Sequence, residues 1–106
     1  MDDFTKAYIV CLLWSNELDE YTADDIEKES LEGIIEDCKQ FQEDNAEHLS
    51  ELDLTQCGHD FCLTRNHHGA GFWDRGLGEL GQTLTRAAEE YNEFTAFFEN
   101  GKVYVE

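Results

Sequence analysis

Between Cys57 and His68 the chain carries five side chains able to ligate a metal or move a proton, in the order Cys57-x-His59-x2-Cys62-x4-His67-His68. Tetrahedral zinc takes four ligands of this kind. The spacing fits no standard finger, because no C-x2-C pair is followed by an H-x3–5-H pair. The plainer reading is that His59 and His68 hydrogen-bond backbone and the cysteines pack, so no metal is expected. A nucleophilic cysteine needs positive charge or a helix N-terminus beside its thiolate. His59 and Arg65 offer some positive charge, but the surrounding carboxylates oppose it. Gly76-Leu77-Gly78-Glu79-Leu80-Gly81 spells G-x-G-x-x-G. No strand leads into it, and Glu79 would face the phosphates, so no dinucleotide cofactor is expected.

The same glycine-rich stretch gathers His59, Asp60, Arg65, Asn66, His68, Trp73, Asp74 and Arg75. Two of the chain's three arginines lie here, each with a carboxylate near it in sequence. One reading is an internally bonded scaffold, with Asp60 or Asp74 paired to Arg65 or Arg75. The other is a pocket walled by Phe72 and Trp73.

The second feature is charge. The 106 residues hold 25 acids against 7 Lys and Arg, for a formal charge of −18. Fifteen of the acids fall between Glu17 and Asp53, opposed only by Lys28 and Lys39. Such a surface repels nucleic acid, whose binding rests on Lys and Arg displacing counterions, and it repels anionic membranes. A basic protein is the favoured partner. The acidic run contains no D-x-[DN]-x-[DN]-G calcium loop. Aromatics at 12% and hydrophobics at 41% mark a chain that folds.

Positioning these groups requires an α+β fold: three main helices and a C-terminal hairpin in one domain, residues 1–106. Phe4, Ala7, Tyr8, Cys11 and Leu12 have helical spacing from Asp3 to about Ser15. Thr22 or Asp24 suits a short capped turn. Leu31, Ile34, Ile35, Cys38 and Phe41 predict a second helix with Ser30 as N-cap and a break near Asp44–Asn45. Its polar side and flanks carry Glu27, Glu29, Glu32, Glu36, Asp37, Glu43, Asp44 and Glu47. Residues 54–76 read as an ordered loop with a short strand at Phe61–Thr64. Leu77, Leu80, Leu84, Ala88 and Tyr91 mark a third helix over about 77–92. Asn100-Gly101 between Phe94–Phe98 and Val103–Val105 is a strong type I′ hairpin signal. Strand Phe61–Thr64 or the helices must then support the two-stranded ribbon.

The stretch GHDFCLTRNHHGAGFWDRGLGELGQTLT, with FTKAYIVCLLWS and DCKQFQEDN, resembles a widespread, largely uncharacterised family of small acidic proteins of tailed phages and plasmids. The shared core reads approximately GHDFWLTRNGHGAGFWDRGLGELG. This chain departs from it at Cys62, where the family has tryptophan, and at His67, where it has glycine. The family pattern also lacks a cysteine at Cys57, which argues against a ligand set built on Cys57 and Cys62. The resemblance carries no activity. It implies a mobile-element setting in the bacterial cytoplasm, consistent with Met1-Asp2-Asp3, which lacks the positive start of a signal peptide.

Three functions remain. The first is an inhibitor or modulator that mimics DNA, placing the carboxylates of the second helix in the nucleic-acid groove of a basic host or defence protein. The second is a small ligand-binding protein or enzyme using the His59–Arg75 stretch. The third is an accessory protein working as a homo-oligomer.

Overall fold

The computed structural model describes residues 1–106. It contains five helices and a two-stranded antiparallel hairpin: α1 (Asp3–Ser15), α2 (Lys28–Asp44), α3 (Ala46–Leu49), α4 (Leu54–Arg65), α5 (Glu79–Glu89), β1 (Ala96–Glu99) and β2 (Lys102–Val105), with 3-10 turns at Ala23–Asp25 and Phe72–Asp74. The fold is α+β, but with more helix than the sequence pattern suggests. No helix is long and apolar enough to cross a membrane.

Each long N-terminal element starts on a carboxylate, as free N–H groups require. Asp2 accepts from the Thr5 amide at 2.8 Å to cap α1. That hydrogen bond and its neighbours outweigh partial burial and hold Asp2 below its ordinary pKa. Glu27, not Ser30, caps α2, accepting from the amides of Glu29 and Ser30 at 3.1 and 3.0 Å. The Ser30 hydroxyl is engaged elsewhere: it accepts from the Val105 amide at 3.0 Å and reaches the Val105 carbonyl at 3.4 Å. Helix α2 stops at Asn45, whose side chain bonds back to the Phe41 carbonyl at 2.9 Å.

The expected loop and strand over 54–65 are instead a 12-residue helix, α4, capped by Asp53. Its residues Cys57, Gly58 and Asp60 through Arg65 are all buried. A helix buried around most of its circumference shows no apolar stripe. Helix α4 packs most closely on α1. Gly58 permits this approach: a Cβ there would stand 2.0 Å from the Phe4 carbonyl oxygen.

Phe61 sits at the centre of the core. Its ring centroid lies 4.2 Å from Phe41, 5.1 Å from Tyr91, 5.4 Å from Tyr8 and 5.9 Å from Phe4. The hairpin pairs Ala96 with Val105 and Glu99 with Lys102. Asn100 and Gly101 take φ of 52° and 82°, as a type I′ turn demands. No third strand forms at Phe61–Thr64. The ribbon instead docks on the entry to α2, where the Glu27 amide donates to the Val103 carbonyl at 2.8 Å and Val103 is fully buried.

The two helical glycines should respond in opposite directions. Gly58→Ala should lower stability by about 3 kcal/mol or more, since backbone rather than a flexible side chain must move. Gly33→Ala, with open space at its Cβ, should raise it by roughly 0.5–1 kcal/mol. Urea denaturation of the two variants checks both signs.

Candidate functional site

The acidic surface is built on α2. At 100° per residue Glu29, Glu32, Glu36 and Glu43 fall on one side, opposite buried Ile34, Cys38 and Phe41. All four glutamates are exposed, as is Glu47 on α3. None of the five enters an ion pair; the chain's pairs are Arg65–Asp37, His67–Glu93 and Arg75–Asp60. The other three carboxylates expected on this face have internal work. Glu27 is the α2 cap, and donation from the Glu29 and Ser30 amides lowers its pKa. Asp44 accepts from Gln40 at 2.8 Å. Asp37 is turned to the flank, 2.9 Å from the Arg65 guanidinium.

The polar stretch from His59 to Arg75 divides in two. Arg65 and Asn66 are scaffold. Arg65 is 1% exposed, donating to Asp37, to the Tyr8 hydroxyl at 3.3 Å and, from both Nε and Nη2, to the Asn92 carbonyl. Its guanidinium also stacks 4.1 Å from the centroid of Phe94. Asn66 closes α4, donating to the Cys62 carbonyl at 2.9 Å and accepting from the Phe94 amide at 2.7 Å. Tyr8, pressed into this cluster, has its pKa raised well above normal, chiefly by burial.

The second part faces a cleft. Asp60, 2% exposed, takes a bidentate grip from Arg75 at 2.8–3.2 Å and a bond from Gln56 at 3.1 Å. Those bonds raise the Arg75 pKa further. Arg75, Gln56 and half-buried His59 line an open cleft of about 710 Å³ between α1 and α4, together with Lys6, Asp3 and Asp53. His68, Trp73 and Asp74 are exposed and do not line it. Phe72 is in the core, so the expected aromatic walls do not form there.

The metal and phosphate motifs come apart in the fold. No three of the His, Cys, Asp and Glu side chains converge as ligands. The four cysteines are free thiols and all buried. Burial pushes Cys38 up to about 12 and Cys57 up to about 11. The interaction between the Cys11 and Cys62 thiols lowers the pKa of the first and, with burial, raises the second well above normal. In the G-x-G-x-x-G stretch, a 3-10 turn rather than a strand precedes the glycines. Gly76 and Gly78 take positive φ, and Gly81 packs against the Phe72 carbonyl.

Comparison of the chain with protein-family models, with curated proteins and with solved structures found no match.

Two outcomes follow from these placements. Arg75→Ala should cost about 2–3 kcal/mol. A fully buried pair would cost roughly 3–5 kcal/mol, but the Arg75 side chain is 34% exposed and water screens it. Adding Asp60→Asn should restore part of the loss, measurable by denaturation of the single and double variants. Iodoacetamide at mildly alkaline pH should leave Cys38 and Cys57 unmodified in the folded protein, because both thiols stay protonated and enclosed. Mass spectrometry before and after adding denaturant reads this directly, and elemental analysis of the same sample should find no stoichiometric zinc.

Proposed function

We propose that the protein acts by binding, presenting the outward face of α2 to a basic, nucleic-acid-handling protein of the host cell as a partial mimic of a phosphate row. The observation that carries this reading is the unpaired stripe Glu29, Glu32, Glu36 and Glu43, all exposed and without an internal partner. A 17-residue helix is about 25 Å long at 1.5 Å per residue, and charges four residues apart stand about 6 Å apart. Such a row attracts a Lys- and Arg-lined groove over a distance and speeds encounter. The resemblance to phage and plasmid proteins supports a target among host or defence nucleases, restriction enzymes or related effectors.

A second reading rests on the cleft. His59, Gln56 and Arg75 share one wall above the Asp60–Arg75 pair, which suits a small polar ligand. The two readings differ in which substitutions matter.

The test is charge reversal. Partners captured from host lysate at low salt and released at high salt supply the binding assay. Changing Glu32, Glu36 and Glu43 together to lysine should leave the circular dichroism spectrum intact. It should slow association at least tenfold, flatten the salt dependence, and abolish competition between the protein and the partner's own nucleic acid. Affinity indifferent to salt and to these changes, but lost in His59→Ala, would transfer the function to the cleft.

A further inference from the structure

We infer that the outward face of α1 is a self-association surface, on which two copies of this chain pack antiparallel about a two-fold axis through Val10. Three residues in one row of the helix, Lys6, Val10 and Trp14, point to solvent. Val10 is 65% and Trp14 61% exposed, and Met1 beside them is 55% exposed. They border a groove of about 480 Å³ whose floor and far wall are Ile9, Leu13, Tyr21 and Ala23. A contiguous apolar patch on a small soluble domain marks a surface that something covers.

The occupant follows from charge. In a chain with 25 acids, Phe4 through Asn16 contain none, and Lys6 is the one charged residue among them. Two copies at −18 each can meet only where neither presents carboxylates. From Phe4 to Asn16 this helix meets that condition, with Asp3 the one carboxylate at the N-terminal end of the row, whereas α2 presents a run of them. A basic partner is better served by α2, because the middle of this row offers it a cation and the carboxylates Asp3 and Asp19 stand only at the rims.

The row is also complementary to itself. Lys6 and Trp14 stand four residues to either side of Val10, each about 6 Å along the axis. An antiparallel two-fold at Val10 therefore sets Val10 on its own copy and lays each Trp14 against the Lys6 of the other chain. An ammonium over an indole face is a favourable cation–π contact, and tryptophan is the best of the aromatic partners. An isologous contact needs this kind of symmetry, in which one patch serves both sides. A parallel arrangement would set Lys6 on Lys6 instead. The contact centres on one short helix, so it is smaller than a standard interface and its dimer is weak. Asp3 and Asp19 at the rims of the row and groove add like-charge repulsion that salt relieves.

Sedimentation of the full chain from about 1 μM to about 500 μM, in ~0.05 M and ~0.5 M salt, tests this. A monomer–dimer equilibrium is expected, several-fold tighter at high salt, the opposite of the trend expected for a basic partner on α2. Val10→Glu should leave the monomer folded by circular dichroism and weaken dimerisation at least tenfold. Trp14→Ala should weaken it as well, and Lys6→Glu more than Lys6→Met. In a Trp73→Phe background, Trp14 emission should shift to the blue as the dimer forms. The α2 triple lysine variant should still dimerise, which separates this surface from the acidic one. A chain that stays monomeric throughout the series overturns the inference, as does a dimer unaffected by Val10→Glu. A monomer whose Trp14 emission shifts only with an added apolar probe would give the groove to a different ligand and overturn it too.

Discussion

A guanidinium buried to 1% exposure must receive a full set of partners or the fold fails, since an isolated charge in an apolar interior is among the costliest of errors. Arg65 is that group, and satisfying it brings together most of the molecule. Its partners come from α1 through Tyr8, from α2 through Asp37, and from the connection after α5 through the Asn92 carbonyl and the Phe94 ring. The aromatic cluster around Phe61 supplies the low-dielectric wall that makes each of these bonds stronger. Weakening any one leaves a donor stranded among rings, so the network specifies a single arrangement of helices as much as it stabilises one. The second paired arginine, Arg75, reaches from the surface to hold the middle of α4 through Asp60. Helix α4 is thus pinned at its middle and at its C-terminus by ion pairs, and its buried charged residues are structural.

This division explains what was legible in the sequence. Helices with one wet face announced themselves: α2 shows its stripe from Leu31 to Phe41 and ends where Asp44–Asn45 suggested. The hairpin was readable because Asn100-Gly101 needs no tertiary context to favour positive φ. Helix α4 was not readable, because Asp60 and Arg65 occupy core positions and Gly58 fills the place of an apolar side chain. Polar residues are buried there because each has a partner that only the fold reveals. Asp60 and Arg75 are close enough in sequence to be matched from it. Asp37 and Arg65 lie on different helices, and the acid looked like one more member of the exposed row. One local signal was present: Asp37 lies three residues after Ile34 and four before Phe41, on the flank of the apolar stripe rather than opposite it.

Ser30 repeats the lesson on a smaller scale. Its hydroxyl suits an N-cap, yet the nearby strand end leaves the Val105 amide in need of an acceptor. Glu27 is free to reach over the first turn in its place. Local propensity offered two solutions, and the docking of the hairpin selected between them. The same docking steadies a two-stranded ribbon that would be marginal alone.

The distribution of charge carries the functional argument further than its total. Solubility asks only that a surface be charged and free of large apolar patches, and interspersed signs serve it well. This chain does otherwise. Two of its seven basic residues are engaged by Asp37 and Asp60. The outward row of α2 is left with no arginine to temper it, and Lys28 and Lys39 are the only Lys or Arg on that helix. On α1 the balance is reversed: the exposed row has a single carboxylate, Asp3 at its end, and two large apolar side chains. Concentrating like charges on one helix costs self-repulsion, and exposing Val10 and Trp14 on another risks aggregation. Neither arrangement lowers the free energy of the isolated monomer. Both become favourable when each face meets its own kind of surface, the acidic row a basic groove and the apolar row a second neutral helix.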